Sequence, residues 1–344
     1  MAYTTIDNPA LFFNTVLYTG DGTSSRNITG VGFQPDWVWL KQRNTTRNHA
    51  LTDSVRGVNK QIYSNLTSSQ STDSGTVTAF ISDGFTVGSD NQANQNSGTF
   101  VSWNWLAGGT SSSNSDGDVT STVSANQTAG FSIATVSNLN SNSFGHGLGA
   151  EPELIINKRT DNTANWRVYF KGITSGKSLF LNTSAGETTE SSAIASANST
   201  TITVTGSGNG GTGGTGTSVY YSFKSIKGYS KIGAYTGNGS TSGPFVYTGF
   251  KPAWVMMKRT NGSNSWNIFD NKRATDNPVQ HRLFPDTTDA EATSTGNAVD
   301  FLSNGFVGRS SGSTVNADGG TYIYMAFAEA PFVTEGTKAA GTAR

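Results

Sequence analysis

The sequence contains no cysteine, which excludes disulfides, thiolate zinc sites and cysteine nucleophiles together. It is also poor in charge. Only 13% of its 344 residues are Asp, Glu, Lys or Arg, with 23 acidic against 23 basic and a formal net charge of zero. Nucleic acid and anionic membrane surfaces both demand clustered positive charge, and no run of Lys and Arg supplies it. No apolar stretch approaches the ~20 residues of a membrane helix. The opening MAYTTIDNPALFFNTV lacks the basic segment of a secretory signal. What is present is Ser, Thr, Asn and Gly, nearly half the chain, together with 7 Trp, 11 Tyr and 19 Phe. So many aromatics argue against disorder. They lie in short clusters between polar, Gly-rich stretches, which predicts many short strands joined by turns; sustained helical spacing is missing. The chain reads as soluble, loop-rich and all-β.

One pattern occurs three times. Pro35-Asp36-Trp37-Val38-Trp39-Leu40-Lys41 has counterparts in Pro152-Glu153-Leu154-Ile155-Ile156-Asn157-Lys158 and Pro252-Ala253-Trp254-Val255-Met256-Met257-Lys258. Each copy closes on a matching segment, at Phe100–Trp105, Ser218–Phe223 and Tyr322–Phe327. Copies one and three also share Asp83-Gly84-Phe85 and Asn304-Gly305-Phe306. A repeat kept in register over such lengths predicts three homologous domains. Their bounds are 1–109 with an N-terminal arm, 128–228 and 229–333, with a polar linker at 110–127 and a flexible tail at 334–344. Each is expected to be an antiparallel β-sandwich of jelly-roll type, about 100 residues long. In copy one the candidate strands lie near 14–19, 27–32, 36–42, 48–53, 60–64, 76–81, 84–87 and 99–106. Trp37 to Leu40 is apolar on both faces, which suggests a strand in the middle of its sandwich.

Little in the sequence points to chemistry. His49, His146 and His281 occupy non-equivalent positions, and none has a partner at metal-ligand spacing. With 43 serines, any Ser-His-Asp combination is uninformative. Asp53 and Asp270 are equivalent, Phe170 takes their place in copy two, and Arg56 and Arg273 follow three residues on; the pattern is that of architectural ion pairs. The recurring Lys41, Lys158 and Lys258 fit strand ends whose aliphatic stems cover apolar surface. Pro35, Pro152 and Pro252 are structural repeat positions, and Pro35 fits just before a strand, where the missing N–H breaks no ladder bond. The acidic clusters Asp116-Gly117-Asp118 and Asp286 to Glu291 do not match a calcium loop. Gly206 to Gly216 lacks the Lys-Ser/Thr of a phosphate loop and reads as a long turn. Trp166 and Trp266 stand eight residues after Lys158 and Lys258, and His49 takes that place in copy one. Their flat faces make them the candidate glycan-stacking residues, beside the plainer reading of core packing. No catalytic residue, metal or cofactor is assigned.

Several segments together resemble a known group. These are Gly-Phe-x-Pro-x-Trp-Val at Gly32 to Val38 and Gly249 to Val255, Ser82 to Asp90, Val101 to Gly109, and Ser124 to Ile133. The chain resembles, over roughly 14–333, the repeat-bearing virion proteins of marine tailed bacteriophages. The resemblance implies a particle component in the tail, a fibre or the capsid surface, and brings no catalytic site with it. The expectation is a structural virion protein of a tail fibre or tail appendage, assembled in the host bacterial cytoplasm and carried on the particle exterior. It would act in assembly and host attachment, with other virion proteins as partners and a homo-oligomer, trimer first. The alternatives are a capsid decoration protein and a carbohydrate-binding protein that grips host surface polysaccharide. A depolymerase needs a carboxylate pair in a cleft, and Asp53, Asp270 and Glu291 offer none.

Overall fold

Short strands rich in aromatic and hydroxyl residues recur along the computed structural model, which describes residues 3–190, 194–205 and 216–333. The tail 334–344 and all but the last residue of the turn expected at 206–216 lie outside the described residues. Copy one contains Phe13–Thr19, Arg26–Thr29, Trp37–Gln42, His49–Asp53, Lys60–Tyr63, Val77–Ile81, Gly84–Val87 and Thr99–Trp105, within a residue or three of the expected positions. Among the described residues, α-helix is confined to the single turn Asn91–Asn94, whose N-terminus the Asp90 side chain caps at Gln92 N.

The same four strands build an inner sheet in each copy. An opening strand (Phe13–Thr19, Phe131–Ser137, Ser230–Thr236) pairs with the closing strand (Thr99–Trp105, Thr217–Phe223, Thr321–Pro331). That strand pairs with the Pro-to-Lys strand (Trp37–Gln42, Leu154–Arg159, Phe250–Arg259). The latter pairs with a following strand (His49–Asp53, Arg167–Phe170, Asn267–Asp270), and every pairing is antiparallel. A three-stranded outer sheet accompanies each inner one, for example Arg26–Thr29, Gly84–Val87 and Val77–Ile81.

Successive side chains of a strand point to opposite faces, and here each face meets a different core. Val38 and Leu40 join Ile28, Phe85 and Val87 of the outer sheet in a core private to copy one. Copies two and three have private cores of their own. Trp37 and Trp39 turn the other way, into a central cluster drawn from all three copies. It contains Trp103 and Trp105, Phe131, Tyr221 and Phe223, and Trp254, Met325 and Phe327. The inner sheets of the three copies thus share one core, where separate sandwiches in tandem were expected. The Trp37 ring lies 4.4 Å from Tyr221 and 4.5 Å from Trp105, so aromatic packing crosses the copy boundary.

Two recurring signatures acquire physical reasons. A side chain at Gly84 or Gly305 would collide with the carbonyl of Ile28 or Val246 on the neighbouring strand, so the Gly-Phe motif needs its glycine. Pro35 and Pro152 precede their strands, whereas Pro252 lies inside Phe250–Arg259 at a register shift, another place where its missing N–H is tolerated. The expected linker is largely part of a sheet: Ser112–Asn114 and Ser121–Asn126 pair in succession onto the opening strand of copy two. The described ends meet at copy three, where Tyr3 Oη donates to Gly249 O at 2.5 Å and Phe332 N to the same carbonyl at 3.3 Å.

Candidate functional site

The three recurring lysines end buried strands, and each is wholly buried. Each ammonium crosses to a backbone carbonyl of another copy, at 3.1 Å in every case. Lys158 reaches Thr67 of copy one, Lys258 reaches Ser184 of copy two, and Lys41 reaches Thr288 of copy three. These acceptors are equivalent, each four residues after Tyr63, Phe180 or Phe284. Copy two thus leans on one, three on two, and one on three. The contacts close a ring, and the lysines are its fasteners. A second acceptor lies close by in each case, the carbonyl of Arg47, Arg159 or Arg259. Burial lowers all three ammonium groups to about 8.

The same seams hold the residues proposed as a sugar platform. Trp166 and Trp266 are 0% and 1% exposed, so neither presents a face to solvent, and the glycan-stacking assignment is corrected. Their indole N–H groups donate across the seam to Tyr63 O at 2.9 Å and Phe180 O at 2.8 Å. His49 holds the equivalent place between copies one and three. Trp39 Nε1 donates to its Nδ1 at 3.0 Å, which puts the proton of the neutral ring on Nε2. That Nε2 is directed at the backbone of Phe284 without closing a full hydrogen bond. Burial, with Lys41 and Arg273 adding to it, drives His49 well below its ordinary pKa, so the ring stays neutral. All three backbone N–H groups find matching acceptors: Asn65, Asn182 and Asp286.

A further set of residues differs between seams. In copy one Asp53 pairs with Arg56 at 2.5 Å and accepts the Tyr221 hydroxyl of copy two at 2.7 Å. In copy three Asp270 pairs with Arg273 at 2.5 Å and accepts the Trp103 indole of copy one at 3.0 Å. The expected ion pairs are therefore present, each capped by a donor from the next copy. The third seam replaces the whole set. Phe170 and Ile173 stand for the acid and base and pack against the cluster containing Met325, the counterpart of Trp103 and Tyr221.

The seam between copies three and one carries one group more. Glu291 accepts from Arg43 at 2.8 and 3.0 Å, from Arg273 at 3.1 Å, and lies 3.0 Å from His281 Nδ1. Burial would raise this carboxyl, but Arg43 and Arg273 hold it down at about 2. His146 belongs to no seam; its Nδ1 accepts from Leu148 N at 3.2 Å. Among the described residues, no group of three or more His, Asp or Glu side chains is placed to hold a metal ion. The arrangement fastens three sheets to one another, and its buried polar groups are spent on doing so.

The model of a family described as a domain of unknown function (DUF7483) matches residues 8–331, and the chain belongs to that family. The matched span takes in all three copies, so the family's unit is the set of three. No curated protein matches the chain.

Proposed function

We propose that this member of the family is a structural component of a tailed bacteriophage virion, in a tail fibre or another tail appendage on the particle exterior. It would act in assembly and host attachment through surfaces, with no reaction assigned to it. In this reading each copy is one jelly-roll-like sandwich of a three-unit module. Other virion proteins are its partners, and self-association, a trimer first, uses faces other than the seams. The observation that carries the reading is where the buried charges go. Asp53 and Asp270 accept a hydrogen bond from the next copy, Glu291 and the three lysines bind copy to copy, and such a fastened module suits a mechanical part. The resemblance of the repeat segments to virion proteins supports the same conclusion. Peptide mass spectrometry of purified particles, with copy counting, tests it. A few to a few tens of copies per particle are expected; hundreds would make it a capsid decoration protein, and absence would end the virion reading.

One observation favours a carbohydrate-binding role as the second reading. Phe245 and Tyr247, 49% and 56% exposed, stand on one outer-sheet strand of copy three with rings 6.5 Å apart. The same strand positions are Asn27 and Thr29 in copy one and Ser143 and Gly145 in copy two. A polysaccharide array probed with the protein and with Phe245→Ser/Tyr247→Ser decides the matter: hits lost in the variant support this reading, and an array without hits removes it.

A further inference from the structure

The seam between copies two and three encloses a groove of about 640 Å³, lined among others by Phe170, Lys177 and Glu187 of copy two and Thr260, Tyr322 and Ile323 of copy three. At the corresponding place in the other two seams an arginine lies buried. Arg56 Nη1 donates to Gln70 Oε1 at 3.0 Å, and Arg273 Nη1 to Glu291 Oε2 at 3.1 Å. Gln70, Glu187 and Glu291 are equivalent: each follows the lysine's acceptor by three residues. Each also donates its backbone N–H across the seam, to Thr160 O, Thr260 O and Arg43 O. Glu187 therefore stands where Glu291 gathers two guanidinium groups. Both cationic positions are vacated around it, because Ile173 replaces Arg273 and Thr260 replaces Arg43. Lys177 lines the same groove, yet among the described residues neither it nor Glu187 forms an ion pair with any group. The carboxylate and the space remain; the guanidinium is missing.

We infer that this groove is a docking site for an arginine side chain presented by another protein, which supplies from outside the guanidinium that the other two seams carry within the chain. The groove's two charges, Glu187 and Lys177, cancel, so the choice of occupant rests on the position of Glu187, where the equivalent Gln70 and Glu291 each accept a guanidinium. The internal precedents select the planar fork of arginine, which a carboxylate can accept in two places. The inference stands on the seams and does not depend on the virion reading.

Calorimetric titration of the full chain with acetyl-Gly-Arg-Gly-amide, and with the neutral citrulline analogue, tests it. Saturable binding of the arginine peptide is expected, about tenfold or more tighter than the analogue. Glu187→Gln should weaken it by a similar factor, and Ile173→Arg, which refills the site from within, should abolish it. Glu187 is half-buried and unpaired, so Glu187→Gln is expected to fold and keeps the test open should Ile173→Arg fail to. Equal binding of the two peptides, undiminished binding to Glu187→Gln, or no saturable binding up to millimolar peptide would overturn the assignment.

Discussion

Two kinds of seam hold one ring together. Where copy one meets its neighbours, a buried acid–base pair takes a hydrogen bond from the adjoining copy, through Tyr221 or Trp103. Where copies two and three meet, Phe170, Ile173 and Met325 fill the equivalent positions with apolar atoms. The lysine fastener and the cross-seam backbone bonds persist in both kinds. The lesson is that the charged set is exchangeable but only as a whole. A buried acid without its base is costly, and a complete pair replaced by hydrocarbon is often neutral or better.

The harshest test of that comparison is to break one polar set by a single change. Asp270→Ala leaves the Trp103 indole without its acceptor and Arg273 with Glu291 as its remaining carboxylate, and a loss of about 3 kcal/mol is expected from denaturant midpoints. Replacing the other set entirely (Asp53→Phe, Arg56→Ile, Tyr221→Met) should recover more than half of what Asp53→Ala alone loses. A triple variant no better than the single one would show that the two solutions are not interchangeable. Acid should attack the polar side next. Glu291 titrates at about 2 when folded, against an ordinary 4.5, so the unfolded chain binds the extra proton between those values. Stability should therefore fall as the pH drops through that window, by up to about 3 kcal/mol, and Glu291→Gln should flatten the slope.

Finer changes sharpen the comparison. Trp266→Phe keeps a ring in the seam but leaves the Phe180 carbonyl without its indole donor, for an expected cost of about 1–2 kcal/mol in thermal or denaturant unfolding. Trp166→Phe should behave alike at Tyr63, since that fastener is common to both kinds of seam. Alkali should act in the direction opposite to acid. The three lysines fall to about 8 on folding, so between pH 8 and 10.5 the unfolded chain holds more protons. Denaturation midpoints should rise from pH 7.5 to pH 9.5, and Lys258→Met should reduce the rise by about a third.

Much of this was legible in the residues. Short aromatic clusters between hydroxyl-rich turns mark the strands, and the Pro-to-Lys windows align the copies, because both signals are local. The exchange of Asp53 and Asp270 for Phe170 is likewise visible as a set. The ring is not, since which copy a lysine reaches depends on how three sheets pack. One clue lies in the strand Trp37–Gln42, apolar on both faces. A two-layer sandwich covers one face of each sheet, so a doubly apolar strand signals a further layer, here the shared core. Trp166 and Trp266 show the converse limit. An indole suits a sugar or a core equally well by composition, and only the Tyr63 and Phe180 carbonyls decide between them.

The meeting of both described ends at the Gly249 carbonyl means that the path through the ring finishes where it began. Such a body can be cut and rejoined: linking residue 3 to residue 333 through a short flexible bridge and opening the exposed turn at Ser24–Ser25 would leave every seam intact. It could likewise be spliced into a surface loop of another protein as a cassette.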